Sequence, residues 1–335
     1  MDPALIVEWI IKSVVLMLVM TIGFAYVTLY ERKVLARMQV RIGPNRAGPG
    51  GSLQPIADAV KLIFKEELIP ANANKFIFIL APVITVVPAL VVSAVVPWGT
   101  SINLFGREVS LDLAAGINVG ILWILSVTSI SVYGITLAGW SSNNKYATLG
   151  GLRATAQMIS YELALGLAYV GPILLAGSMS LRSIVEAQHT VPFIVYQPVA
   201  FFIYLLASLA EINRAPFDMP EAEQELTAGY HTEYSSMKFA LFFMAEYIKM
   251  IAISMIGATL FLGGYSGPFV DQYPLLGPVY LFLKTALWMF VIIWFRATLP
   301  RIRYDRLMAL GWKVAFPVAL LNVMVTAVAV ILVGG

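Results

Sequence analysis

Residues 5–33 read LIVEWIIKSVVLMLVMTIGFAYVTLYERK. From Leu5 to Tyr30 only Glu8 and Lys12 are charged, and then Glu31, Arg32 and Lys33 arrive together. A bilayer core about 30 Å thick is crossed by roughly 20 apolar residues in a helix, so this stretch predicts a membrane span ending in a charged collar. It is too long for the apolar part of a cleavable leader, and its strongest basic cluster follows rather than precedes it. The same pattern recurs along the chain. Apolar runs near 75–97, 115–139, 155–177, 194–211, 238–263, 278–297 and 312–333 predict, with 5–30, eight transmembrane helices. Membrane β-strands would be about 10 residues long.

Composition agrees with that reading. The chain has 335 residues, of which 59% are hydrophobic and 12% charged, with a mean hydropathy of +0.82. Soluble domains are about 45–50% apolar and about 25% charged. The expected class is an all-α, polytopic membrane protein forming a single integral domain over 1–335. There are no cysteines and only two histidines, His189 and His231. Thiolate metal sites, iron–sulfur clusters and covalent haem are excluded on this chain. No histidine–carboxylate grouping has metal-ligand spacing, so no metal is expected.

Basic residues set the expected orientation. Arg32, Lys33, Arg37, Arg41 and Arg46 follow the first span, and Lys145, Arg153, Arg214, Lys238, Arg296, Arg301, Arg303, Arg306 and Lys313 fall on the same side. Positive residues mark the cytoplasmic face, which puts the N-terminus outside. Two longer loops lie on that face, 31–74 and 212–237. Within the first, 52–66 places Leu53, Ile56, Ala57, Val60, Ile63 and Phe64 at helical spacing opposite Gln54, Asp58, Lys61 and Lys65. This is an amphipathic helix too short to cross, expected to lie at the interface.

Several charges sit where lipid-facing helices avoid them. A charge near the middle of a span costs about 2.5–3.5 kcal/mol on insertion scales and usually faces a cavity or a partner. Glu162 falls within the fourth span, Glu211 ends the fifth, Glu246 and Lys249 lie one turn apart in the sixth, and Lys284 is in the seventh. Glu246 and Lys249 could form an internal ion pair. Loop 211–233 gathers Glu211, Asp218, Glu221, Glu223, Glu225 and Glu233 with Arg214 as its one arginine. Pro216 and Pro220 are expected to keep it extended before Glu221. Carboxylates at several depths on different helices fit a proton relay better than a packing device. No phosphate-binding loop or dinucleotide fingerprint is present, so redox chemistry is not expected from this chain alone.

The strings Glu31-Arg32-Lys33 with Gln39 to Arg46 (QVRIGPNR), Leu53 to Lys61 (LQPIADAVK), Ser160-Tyr161-Glu162, Ala210 to Asp218 (AEINRAPFD), Glu221 to Leu226 (EAEQEL), Tyr230 to Ser236 (YHTEYSS), Phe242 to Tyr247 (FFMAEY) and Arg301 to Asp305 (RIRYD) resemble the heel of the membrane arm of proton-pumping NADH:quinone oxidoreductase, respiratory complex I. The resemblance covers the whole chain. It implies a membrane subunit, located in the cell inner (plasma) membrane, that docks soluble iron–sulfur and quinone-reducing subunits and contacts small membrane and antiporter-like subunits and lipid. Nucleic acid is not among the implied partners. Quinone, either ubiquinone or menaquinone, is the implied substrate, while iron–sulfur clusters and flavin belong to partner subunits. Carried over by motif, Glu31, Arg32, Asp58, Arg214, Phe217, Phe243 and Arg296 would border the quinone chamber. Glu162, Glu211, Glu221, Glu223, Glu225, Glu233 and Glu246 would form the proton and coupling route. The runner-up reading is the homologous membrane anchor of an energy-converting hydrogenase or formate hydrogenlyase, which needs no quinone chamber. The string from RAPFD (Arg214 to Asp218) through EAEQEL (Glu221 to Leu226) and the IGPNR loop favour the quinone enzyme.

Overall fold

A computed structural model describes residues 3–104, 107–219 and 227–334. It is 72% helical. The long helices are α1 (Pro3–Met38), α3 (Lys75–Val92), α4 (Gly120–Ser141), α5 (Lys145–Ala176), α9 (Ser236–Phe261) and α10 (Leu276–Thr298). Between them lie α2 (Gln54–Ile63), α6 (Leu181–Ala187), α7 (Phe193–Tyr196) and α8 (Pro198–Glu211). The chain closes with α11 (Tyr304–Leu310), a π-helical turn over Gly311–Ala315, and α12 (Phe316–Gly334). Local sequence sets several ends. Asn74 and Asn144 cap α3 and α5, accepting from the Ile77 and Tyr146 amides. α5 stops at Gly177, whose φ of 65° suits a residue without Cβ.

Seven stretches are long and apolar enough to span a membrane, from Leu5–Met38 to Tyr304–Leu332. The run near 194–211 differs from expectation. Instead of one long helix it forms α7 and the 14-residue α8, and at 1.5 Å per residue α8 is only about 21 Å long. The break falls at Gln197, whose φ of −127° and ψ of 53° are non-helical. Pro198 then opens α8, and a proline restrains the residue before it. Other boundaries shift. α5 begins ten residues before the expected 155, α4 begins at Gly120, and the expected amphipathic helix is confined to Gln54–Ile63. A small antiparallel hairpin, β1 (Ser101–Leu104) with β2 (Arg107–Ser110), adds strand to the expected all-α class.

Helix α9 runs through the centre of the bundle. Its most apolar window is 67% buried, against 6% for α1. It packs on α1, α2, α3, α6, α8 and α10. Around it, α3 packs on α4 and α4 on α5. Close approach depends on glycine at two places. A Cβ on Gly134 of α4 would lie 2.2 Å from Thr85 Oγ1 of α3, and one on Gly150 of α5 would lie 2.8 Å from Gly229 Cα. The second seats the segment before α9 directly on α5. The loops over residues 39–74, 142–144, 212–219, 227–235 and 299–303 meet at one end of the bundle. There Leu68 N bonds Ser235 Oγ, Asn74 N bonds Ser141 O, and Ile302 N bonds Pro216 O.

Candidate functional site

Three elements at this end enclose a groove. α1 contributes Phe24, Thr28 and Arg32, α2 contributes Pro55 and Asp58, and α9 contributes Phe243 and Met244. Its volume is about 420 Å³, within the range of small-molecule sites. The wall is mostly apolar, with Thr28, Arg32, Asp58 and Lys61 as its polar side chains. Arg32 Nη1 donates to Asp58 Oδ2 at 2.7 Å, and Gln54 Nε2 holds Asp58 Oδ1 at 3.1 Å. This pair ties α2 to the collar of α1. Along α2 and at its ends, Leu53, Ile56, Val60, Ile63 and Phe64 are exposed, with Ile63 at the edge of the groove. An amphipathic helix with its apolar stripe unburied has the pattern of one suited to a membrane interface.

One residue before Arg32, Glu31 turns the opposite way, into the protein, and is only 3% exposed. It pairs with Arg296 of α10 and, at 3.4 Å, with Arg214 Nη1. Arg214 Nε reaches Glu246 Oε1 of α9 at 2.6 Å, and its guanidinium stacks over the Tyr247 ring at 4.5 Å. Asp218 lies against Arg301, whose Nη2 also donates to the Asp218 carbonyl. Three carboxylates thus face three guanidinium groups. Buried charges persist only when paired in this way, because desolvation costs several kcal/mol per ion.

The segment after α8 reaches these partners because it is turned, not extended as its prolines suggested. Arg214 N bonds Leu209 O, and Phe217 N bonds Arg214 O. Gln157, buried on α5, fixes the turn, donating to Ala210 O at 2.8 Å and Phe217 O at 2.7 Å. Arg214 is also not the loop's one basic neighbour, since Arg296 and Arg301 arrive from α10 and the segment after it.

The remaining acids occupy separate settings. Glu211 closes α8 in the protein interior. Glu162 on α5 receives a hydrogen bond from Ser129 Oγ of α4, and Glu233 receives one from Asn144 Nδ2 at 2.7 Å. Glu246 pairs with Arg214, so the expected Glu246–Lys249 pair does not form. Phe217 packs against the Tyr161 ring, with centroids 5.4 Å apart, and is not part of the groove wall. Glu221, Glu223 and Glu225 lie outside the described residues. His231 stands edge-on to Tyr230 and Phe239, and burial pushes its pKa down to about 4. It is neutral at pH 7 and does not titrate there with the acidic loop. Gln157 and Tyr247 had no signal in a single sequence beyond being polar groups inside apolar runs.

The fold and site define a multi-pass helical membrane protein with a groove backed by a buried charge network. Residues 11–327 match the family model described as NADH dehydrogenase. The chain is similar to the NADH-quinone oxidoreductase H subunit of Thermomicrobium roseum, 51% identical over 332 residues, covering 96% of this chain and 95% of the relative. It is 52% identical over 325 residues to the H subunit 2 of Syntrophobacter fumaroxidans, covering 97% and 96% of the two chains. With the H subunit 1 of Geobacter metallireducens it shares 51% over 314 residues, 94% and 93% of the chains. The chain belongs to the family of NADH-quinone oxidoreductase H subunits.

Proposed function

We propose that this chain is the membrane subunit of a proton-translocating NADH:quinone oxidoreductase that admits the quinone and links its reduction to proton movement. The observation that carries this reading is the groove between α1, α2 and α9, mostly apolar, with Thr28, Arg32, Asp58 and Lys61 as its polar side chains, and flanked by the exposed apolar residues of α2. A lipid-borne quinone has a long apolar tail and a head group that accepts hydrogen bonds. Such a groove guides the tail and presents a guanidinium to the head. In this reading the chain crosses the membrane eight times, with α7 and α8 as the short span and the N-terminus outside. Iron–sulfur clusters, flavin and the residues that reduce the quinone belong to soluble partners docked on loops 31–74 and 212–237. Antiporter-like and small membrane subunits sit beside it in the bacterial inner membrane.

Reduction of a quinone to a quinol takes up two electrons and two protons. The charge change at the head group acts on Glu31 and Arg214 one helix face away, and these are already joined to Glu246 and Arg296. From there the route runs to Glu211 and Glu162. Glu221, Glu223, Glu225 and Glu233 complete its loop portion.

Ala59 lines the groove and offers the test. In the purified complex, Ala59→Trp is expected to slow electron transfer from NADH to a short-chain quinone by about tenfold, a scale typical of blocked substrate positioning. NADH oxidation by a soluble ruthenium acceptor at the partner subunits stays at wild-type rate. Wild-type quinone kinetics in this variant would remove the groove from the quinone path.

A further inference from the structure

α2 forms one wall of the groove and is fastened at two places. Its middle is tied to α1 through Asp58 and Arg32. The end of α2 and the residues after it are tied to the start of α9. Ser236 Oγ donates to Leu62 O at 3.0 Å. The last carbonyls of a helix lack partners within it, and here a side chain from another element supplies one. One residue earlier, Ser235 Oγ accepts from Leu68 N at 3.1 Å and donates to Glu66 O at 3.3 Å. Lys238 Nζ pairs with Glu67 Oε1 at 2.6 Å.

These bonds join two walls of the groove. Leu62 and Ile63 line it from α2, and Met237 and Phe239 line it from α9. Ser236 and Lys238 flank Met237 in the chain, so they hold the wall without forming its lining. Lys238 is 9% exposed, and its ammonium also lies 5.4 Å from the centroid of the Phe78 ring of α3. That ring stacks on Tyr234 with centroids 4.0 Å apart. The cation is therefore anchored in the bundle, while the Glu67 side chain is 51% exposed. Ser236 has a φ of 55°, a left-handed conformation uncommon for a residue with a Cβ. Such a backbone persists only where its surroundings hold it, and the bond to Leu62 O is one such hold.

We propose that Lys238, Glu67 and Ser236 are positioning residues for the quinone: they fasten the C-terminal end of α2 against α9 and so set the spacing of the groove walls that receive it. With the fastening intact the groove is formed before the quinone arrives, and binding does not have to order α2. With it broken, α2 stays joined to α1 through Arg32 and Asp58, while Leu62 and Ile63 lose their fixed distance from Met237 and Phe239. The effect falls on quinone affinity and not on the reduction step, which belongs to the partner subunits. This rests on the quinone-linked function proposed above.

The experiment uses the purified complex with NADH and a short-chain quinone, and reads KM and kcat separately. Lys238→Met keeps the apolar stem and removes the charge. It is expected to raise the quinone KM about threefold, the scale of a partly exposed ion pair, with kcat near wild type. Lys238→Arg, which keeps the charge, should hold KM close to wild type. Glu67→Gln should raise KM by the same factor as Lys238→Met, and it carries the test if the methionine variant does not assemble. Because both substitutions remove one and the same pair, the double variant should raise KM no further than either alone. Ser236→Ala, which loses the bond to Leu62 O, should raise KM about three- to tenfold. A merely structural role would lower the yield of assembled complex and leave the KM of what assembles unchanged. A wild-type KM in both Lys238→Met and Glu67→Gln, or increases that add in the double variant, would overturn the proposal. If Ala59→Trp slows quinone reduction while these variants keep the wild-type KM, the positioning role alone fails. Wild-type quinone kinetics in Ala59→Trp would instead overturn the function on which it rests, and the proposal with it.

Discussion

At the end of the bundle that holds the hairpin and α6, polar side chains close the backbone. Gln188 donates to Ile184 O and Thr259 O and accepts from Phe193 N and Gly263 N. Lys284 Nζ donates to Gly264 O and Ser266 O at 2.8 and 2.7 Å, capping the turn after α9. Asp112 accepts from Trp98 N and Gly99 N, although burial raises its pKa. At the opposite end charged side chains meet one another instead. Glu31, Arg214, Glu246 and Arg296 come from four separate parts of the chain and are joined by ion pairs between side chains. A group that bonds backbone has one stable arrangement. A carboxylate shared between two guanidinium groups can exchange partners, and that freedom is what a response to charge requires. The first end is built for shape and the second for electrostatics.

The two ends should therefore fail differently. The largest effect is expected from Arg214→Met, which leaves Glu246 buried without its cation. Removing one partner of such a pair costs about 3–5 kcal/mol, and the purified complex should lose this subunit at a markedly lower temperature. Lys284→Met at the other end frees two carbonyls of a half-buried turn, for about 1–2 kcal/mol, and leaves pumping unchanged. Equal losses of stability, or a pumping defect from Lys284→Met, would erase the distinction.

The smallest effect concerns pH. His231 is held neutral by burial, its pKa near 4 when folded against about 6.5 when unfolded. The unfolded segment binds more protons between those values, so packing around Tyr230, His231 and Tyr234 should weaken as pH falls from about 6.5 to about 4 and stay constant above. Hydrogen exchange of residues 229–235, corrected for intrinsic rates, measures this. His231→Phe should remove the dependence. If the variant keeps the same acid-weakened profile, the segment answers to another group.

How much of this was legible beforehand follows from range. The spans are local facts, and apolar runs found seven long apolar helices, although α5 starts ten residues before its run. The break at Gln197–Pro198 was missed because composition counts apolar residues and not backbone continuity. The hairpin was missed because four-residue strands leave too little pattern. The chemistry divides in the same way. Glu31, Glu211, Glu246 and Lys249 stood out as charges inside apolar stretches, and Arg32, Asp58 and Phe243 as motif residues, which the fold brings to one groove. Their pairing was not legible. Arg214 meets Glu31 across 183 residues, and Glu246 pairs with Arg214 rather than with Lys249 one turn away. Only packing decides which helix face meets which.

The most direct test of the carboxylate route is Glu211→Gln in the intact complex reconstituted in proteoliposomes, read as protons moved per NADH oxidised with quinone as acceptor. The substitution keeps size and hydrogen-bonding capacity and removes the titratable group. Ruthenium-acceptor activity should stay near normal while that ratio falls by about tenfold. An unchanged ratio in the assembled enzyme would contradict the route, and would leave the buried carboxylates as packing groups only.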